Sequence, residues 1–187
     1  MMKIPNAYYL IIDLEATCSD DNTIPGPEME IIEIGAVMQN SRTFEVESEF
    51  QIFVKPVRHP ELTRFCLELT KIRQSDVNAA PLFSQACEMM KKWMADFPDA
   101  LFCSWGNYDR NQFVNDCNFH GIEYPFGAEH MNLKPQFSKS GGPRKRVGIA
   151  GALKYLGLDF EGTHHRGIHD ARNIARIVRH VCQSTSL

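Results

Sequence analysis

The chain lacks any long hydrophobic run. Nothing in it approaches the roughly 20 apolar residues that a membrane-crossing helix requires, so no membrane partner is expected. The longest apolar stretch near the start, residues 7–12, is short, follows a single lysine and runs straight into Asp13. It reads as a buried strand rather than a leader, which points to the cytoplasm. Cysteine pairs at redox or metal-binding spacing are also missing. Cys18, Cys66, Cys87, Cys103, Cys117 and Cys182 are scattered with no C-x-x-C, and reduced thiols filling core space account for them better than a disulfide framework. There is no excess of positive charge. The formal net charge of −3 lacks the basic character of a tight duplex binder, although the distribution of charge matters more than its sum. Repeats and low-complexity segments are absent.

What is present suits one folded unit. At 187 residues, 43% hydrophobic and 23% charged, the chain is expected to form a single domain over 1–187 with its core within about 7–182, because dividing it would leave two weakly buried cores. Residues 7–14 are almost continuously apolar, as in a strand covered on both faces, and 31–38 predict a second strand. Phe44, Val46, Phe50, Ile52 and Val54 then alternate with Glu45, Glu47, Glu49 and Gln51, the pattern of a half-exposed strand. With Asn40, Ser41 and Arg42 as a turn, these three form an antiparallel meander. From Leu82 to Phe97 the apolar spacing becomes helical. A short strand over 100–105, a helix over 109–119, a loop over about 121–147 and helices over 148–156 and 168–182 complete the pattern. Strands followed by helix, strand and helix suggest an α/β sheet with helices on its faces.

Several acids occupy positions where acids are costly. Asp13 and Glu15 end the first apolar strand, two residues apart and so on one face. A hard, oxygen-seeking cation would relieve their repulsion, but an isolated D-x-E is more often simply solvated. Asp170 shares a helical stripe with Ile174, Ile177, Val178 and Val181, and a helix-capping role explains it equally well. Asp109 opens a helix just past the strand over 100–105 and could be a cap too. His165 lies five residues before Asp170 and is a suitable general base beside carboxylates. His164, His165 and His169 could instead hold a transition metal, although no further Cys or His cluster completes a tetrahedral site.

Taken in order, I-I-D-L-E-A-T-C, E-I-I-E-I-G-A-V, F-C-L-E-L-T-K-I, S-W-G-N-Y-D and H-H-R-G-I-H-D-A-R-N-I-A-R-I resemble the DEDDh 3′–5′ exonucleases, DnaQ-like enzymes, and most closely their Eri-1-type exoribonuclease branch. The resemblance covers about residues 7–180. It implies an α/β, ribonuclease H-like three-layer fold with a mixed five-stranded sheet flanked by helices. It also implies 3′–5′ exonuclease activity that uses two Mg²⁺ ions, with Mn²⁺ able to substitute, and releases 5′-nucleoside monophosphates. Asp13, Glu15, Asp109 and Asp170 would hold the metals and His165 would be the base. Leu14, Ala16, Thr17, Phe65 and Thr70 would meet the 3′ end of the substrate. Six basic residues and no acid fall between Met131 and Leu158, and among them Arg144, Lys145 and Arg146 suggest a mobile electropositive flap. The expected partner is single-stranded nucleic acid or a 3′ overhang, with RNA favoured over DNA, and homodimerisation is left open. One departure is His169, where many Eri-1-type sequences carry a second acid. The competing reading is a catalytically inactive module on the same fold that binds nucleic acid or protein.

Overall fold

The computed structural model describes residues 6–183. The near-continuous apolar run becomes β1 (Tyr8–Ala16), followed by β2 (Ile31–Asn40) and β3 (Val46–Phe53). Both pairings are antiparallel, so the expected meander forms. Two short helices that the apolar spacing did not reveal come next, α1 (Arg64–Thr70) and α2 (Gln74–Asn78). Then come α3 (Phe83–Met94), β4 (Ala100–Ser104), α4 (Tyr108–His120), β5 (His130–Asn132), α5 (Leu133–Lys139), α6 (Ile149–Tyr155) and α7 (Gly167–Gln183). The sheet order is β3-β2-β1-β4-β5, with β4 parallel to β1 and β5 parallel to β4. This is the mixed five-stranded sheet expected.

The segment expected to be a loop, about 121–147, needs correcting. It contains β5 and α5. A three-residue strand is too short to show a period, and α5 carries Pro135 in its first turn, where a missing N–H costs nothing. Asn132 caps that helix by accepting the Lys134 N–H at 3.1 Å. Lys134 and Lys139 therefore lie on a helix, while Arg144, Lys145 and Arg146 lie in irregular backbone and are exposed. Val46, expected on the covered face of its strand, is 48% exposed. It sits at the end of an edge strand, past a register shift between Met38 and Gln39.

Strand alternation divides the core between the two faces of the sheet. Tyr9, Ile11 and Val37 pack with Ile174, Ile177 and Val178 of α7 and with side chains of α5 and α6. Leu10, Ile12, Leu14 and Ile34 pack with Phe83, Met90 and Phe113 of α3 and α4. The result is three layers with the sheet in the middle. Cys66, Cys87, Cys103 and Cys117 are buried and unpaired, consistent with thiols used as core filler. No helix among the described residues is long and apolar enough to cross a membrane.

The start of α7 lies directly on the sheet. A Cβ built on Gly35 of β2 would fall 2.0 Å from the Gly167 carbonyl carbon, and one on Gly167 would fall 2.8 Å from the Asp13 carbonyl oxygen. These contacts are with backbone, so no side-chain rotation can relieve them. Gly35→Ala is expected to lower unfolding stability by about 2–3 kcal/mol or more, at the upper end of overpacking costs. Urea denaturation checks this, and an unchanged midpoint would show that the helix end can move away freely.

Candidate active site

On β1, Tyr9 and Ile11 point toward α7, so alternation sends Asp13 and Glu15 to that same face. Gly35 is the ladder partner of Asp13 and leaves room for the α7 terminus. The first turn of α7 then brings Asp170 down onto the two acids. Asp13, Glu15 and Asp170 offer oxygens that all lie within 4.8 Å of one another, Glu15 and Asp170 being buried and Asp13 partly exposed. Asp109 comes from the first turn of α4. It is buried, and its Oδ1 accepts the Leu14 N–H at 3.1 Å, which ties it to the residue between Asp13 and Glu15.

Crowding four carboxyls at the edge of a core raises their proton affinity. Asp13 is held well above its ordinary range, by burial first and then by Asp109, Asp170, Glu15 and Glu33. Burial, followed by repulsion from Asp170 and Glu33, pushes Glu15 up to about 9. Asp109 rises to about 6 through burial, restrained by the N–H bond from Leu14 and the charge of Lys134. Burial also raises Asp170, against the opposing effect of His164. An all-oxygen, hard donor set of this kind, strained by its own charge, fits a divalent cation.

The histidines divide differently from expectation. His164 makes the direct contact, Nδ1 to Asp170 Oδ1 at 2.8 Å. His165 stacks on His164 with ring centroids 4.2 Å apart and 12° between planes, and its backbone is left-handed with φ 61°. Burial first, then the neighbouring His164, lowers the His165 pKa, with Asp170 opposing. His169 turns to accept the Thr163 N–H at 3.0 Å. Among the described residues, the only group of three or more metal-ligating side chains is the carboxylate one, so no three-histidine centre forms.

The residues expected to meet substrate are placed unevenly. The Leu14 side chain is core. The Ala16 carbonyl faces the Cys66 thiol at 3.7 Å. Thr17 is fully buried, its N–H bonded to Glu30 O and its hydroxyl accepting the Glu30 N–H. Thr70 is also buried; its hydroxyl donates to Cys66 O and accepts from Ile72 N–H at the end of α1. Phe65 is half-exposed and outside the core clusters. It stands beside Cys66 on α1, whose cap Thr63 donates to the Cys18 carbonyl at 2.6 Å. Three further residues lie at or near the site, of which Lys134 was expected only as part of the basic stretch and the other two were not singled out from sequence. Glu33 is a buried acid in the apolar run of β2. Tyr108, 48% exposed, adjoins Asp109 on α4, and Lys134 reaches toward Gly106 and Asp109. An acid inside an otherwise apolar strand was the available signal for Glu33.

This fold and cluster define a class, and comparison with known proteins agrees. The exonuclease family model RNase T matches residues 10–178, and the chain belongs to that family. Among curated relatives it is 36% identical to ERI1 exoribonuclease 3 of Bos taurus over 190 residues, covering 96% of this chain and 56% of the relative. It is 34% identical to human 3′-5′ exoribonuclease 1 over 187 residues, covering 94% of this chain and 52% of the relative. The chain thus spans about half the length of these curated relatives. A solved structure of the nuclease domain of 3′hExo, a DEDDh family member bound to rAMP, superposes with a TM-score of 0.86 at 31% identity, covering 92% of this chain and 90% of that one.

Without a cation, the crowded carboxyls make stability depend on pH. Glu15 binds its proton more tightly when folded than when unfolded. Its protonated form therefore contributes stability that is complete below the ordinary value of 4.5 and is lost as pH rises through about 9. The Tm of chelator-treated protein is expected to fall as pH is raised across that interval. A divalent cation needs the carboxylates ionised, so it is expected to restore Tm more at the alkaline end. Scanning fluorimetry with and without cation reads both effects, and a Tm indifferent to pH and to cation would contradict this account of the cluster.

Proposed function

We propose that this chain is a divalent-metal-dependent 3′–5′ exoribonuclease that shortens single-stranded RNA, or a 3′ overhang, to 5′-nucleoside monophosphates. The observation that carries the reading is the gathering of Asp13, Glu15 and Asp170 around one point, with Asp109 anchored beside them and a histidine pair at the rim. The names of the relatives support RNA as the substrate, and the rAMP-bound neighbour supports a nucleoside monophosphate in this place.

Asp13, Glu15 and Asp170, supported by Asp109, would hold Mg²⁺, two ions by resemblance, with Mn²⁺ able to substitute. Such cations stabilise negative charge on the attacking and leaving oxygens of a phosphodiester. The other roles fall to the chain itself. An imidazole nitrogen of His165 takes the proton of the attacking water, and its lowered pKa keeps it neutral and basic near neutral pH. Phe65 and Tyr108 are accessible rings near the starts of helices that flank the site, suited to packing against terminal bases. Arg144, Lys145 and Arg146 attract the phosphate backbone from an irregular segment. The backbone around Ala16 and Thr17 would meet the 3′-terminal sugar by resemblance, with Thr70 near the 3′ end, while the Thr17 and Thr70 hydroxyls make bonds within the protein.

The test is degradation of 5′-labelled single-stranded RNA and matched DNA with Mg²⁺, Mn²⁺ or EDTA. The expected result is a ladder that shortens from the 3′ end, faster on RNA. EDTA and Asp13→Ala abolish it, and His165→Ala slows it by at least about a hundredfold, in the range for loss of a general base. In the same assay, charge reversal at Arg144, Lys145 and Arg146 raises KM. Substrate that is bound but left intact under every metal would overturn the proposal in favour of a non-catalytic binding module.

A further inference from the structure

Glu33 is an acid that the metal-ligating cluster does not use. It is fully buried on β2, directly across the ladder from Glu15. Its Oε2 accepts Arg166 Nε at 3.1 Å and the Gly167 N–H at 3.2 Å. Its Oε1 accepts Gln51 Nε2 at 2.6 Å and, at 3.5 Å, Arg166 Nη2. A carboxylate this deep is tolerable only with such a set of donors, one of them cationic.

The partner it holds, Arg166, joins the loop before α7 to the sheet. Arg166 is bonded through the chain to His165, which sits in a left-handed conformation that a non-glycine residue keeps only when its surroundings enforce it. The Arg166 N–H donates to Asp170 Oδ2 at 3.2 Å. Its guanidinium also lies 5.3 Å above the Phe53 ring. Arg166 therefore grips the sheet through its side chain, holds a candidate metal ligand through its backbone N–H, and is the chain neighbour of the candidate base.

We propose that Glu33 is a positioning residue. By clamping Arg166 and Gly167 onto the sheet, it fixes His165 and Asp170 over Asp13 and Glu15 without holding a metal itself. This rests on the roles given to His165 and Asp170 under the proposed function. A buried ion pair serving stability alone would leave turnover untouched, and a fifth metal ligand would change how many cations bind.

The experiment compares wild type with Glu33→Gln, Arg166→Met, the double variant and Arg166→Lys. It measures kcat and KM on single-stranded RNA at saturating Mn²⁺, together with Tm and Mn²⁺ stoichiometry by calorimetry. Misplacement of reacting groups by about an ångström costs on the order of a hundredfold, so Glu33→Gln and Arg166→Met are each expected to lose roughly tenfold to a hundredfold in kcat, with KM within about threefold. The double variant leaves no unpaired buried charge and is expected to lose no more than the singles, because the two residues act as one unit. Arg166→Lys is expected to recover part of the loss. The number of Mn²⁺ ions bound should not change. Wild-type kcat in the double variant, whatever its Tm, would overturn the proposal, as would loss of a bound Mn²⁺ in Glu33→Gln. If wild type itself left RNA intact, the proposed function would fail first, and that result is separate from any difference among variants.

Discussion

The structure depends on a backbone contact. The α7 terminus touches the sheet at Gly35 and Gly167, where neither residue has a side chain to hold the elements apart. Everything chemical follows from that approach. Asp13 and Glu15 are fixed by the register of β1 against β2, and Asp170 can meet them only if the first turn of α7 comes down onto the strands. A gap of one methyl group would separate the acids and dilute their mutual field. The apolar stripe of Ile174, Ile177, Val178 and Val181 supplies the burial that presses the rest of the helix in place, and the Glu33–Arg166 pair holds its near end.

The electrostatic arrangement opposes the fold rather than supporting it. Four carboxyls with raised proton affinity represent stability given up where function needs charge, as is common at catalytic sites. The two buried acids nearby, Glu33 and Glu30, show how the chain treats carboxylates that lie outside the proposed ligand set. Glu33 has a guanidinium and backbone and amide donors. Glu30 is capped by the N–H groups of Val57, Arg58 and His59. Among the described residues, Asp13 and Glu15 have no such set of side-chain hydrogen bonds. That contrast separates acids satisfied by the protein itself from acids proposed to meet a cation.

Much of this was legible in the residues. The period of two along 44–54 and the helical stripes over 82–97 and 168–182 are local signals, and the strands and helices formed where they fell. The acids were legible because a charge at the end of an apolar run is conspicuous. Features built from short or distant pieces were not. β5 has three residues and α2 has five, too few to establish a period, and α1 and α5, with seven each, were missed although α6 of the same length was not. Glu33 and Arg166 are 133 residues apart, so their pairing exists only once the sheet and α7 have met. The same holds for the contact of His164 rather than His165 with Asp170, which depends on the left-handed turn at His165. The local bonds of Thr17 and Thr70 at the ends of β1 and α1 were likewise not legible, because their partners are fixed only by the fold.

The central claim is that close docking of α7 on the sheet assembles the proposed cation site. The most direct measurement is Mn²⁺ affinity by titration calorimetry for wild type and Gly35→Ala, at a temperature where circular dichroism shows both folded. The account predicts that the added methyl weakens Mn²⁺ binding by at least about tenfold, within the range seen when the support of metal ligands is disturbed. Equal affinity in a folded Gly35→Ala protein would contradict it, because the acids would then gather without the contact on which the site is said to depend.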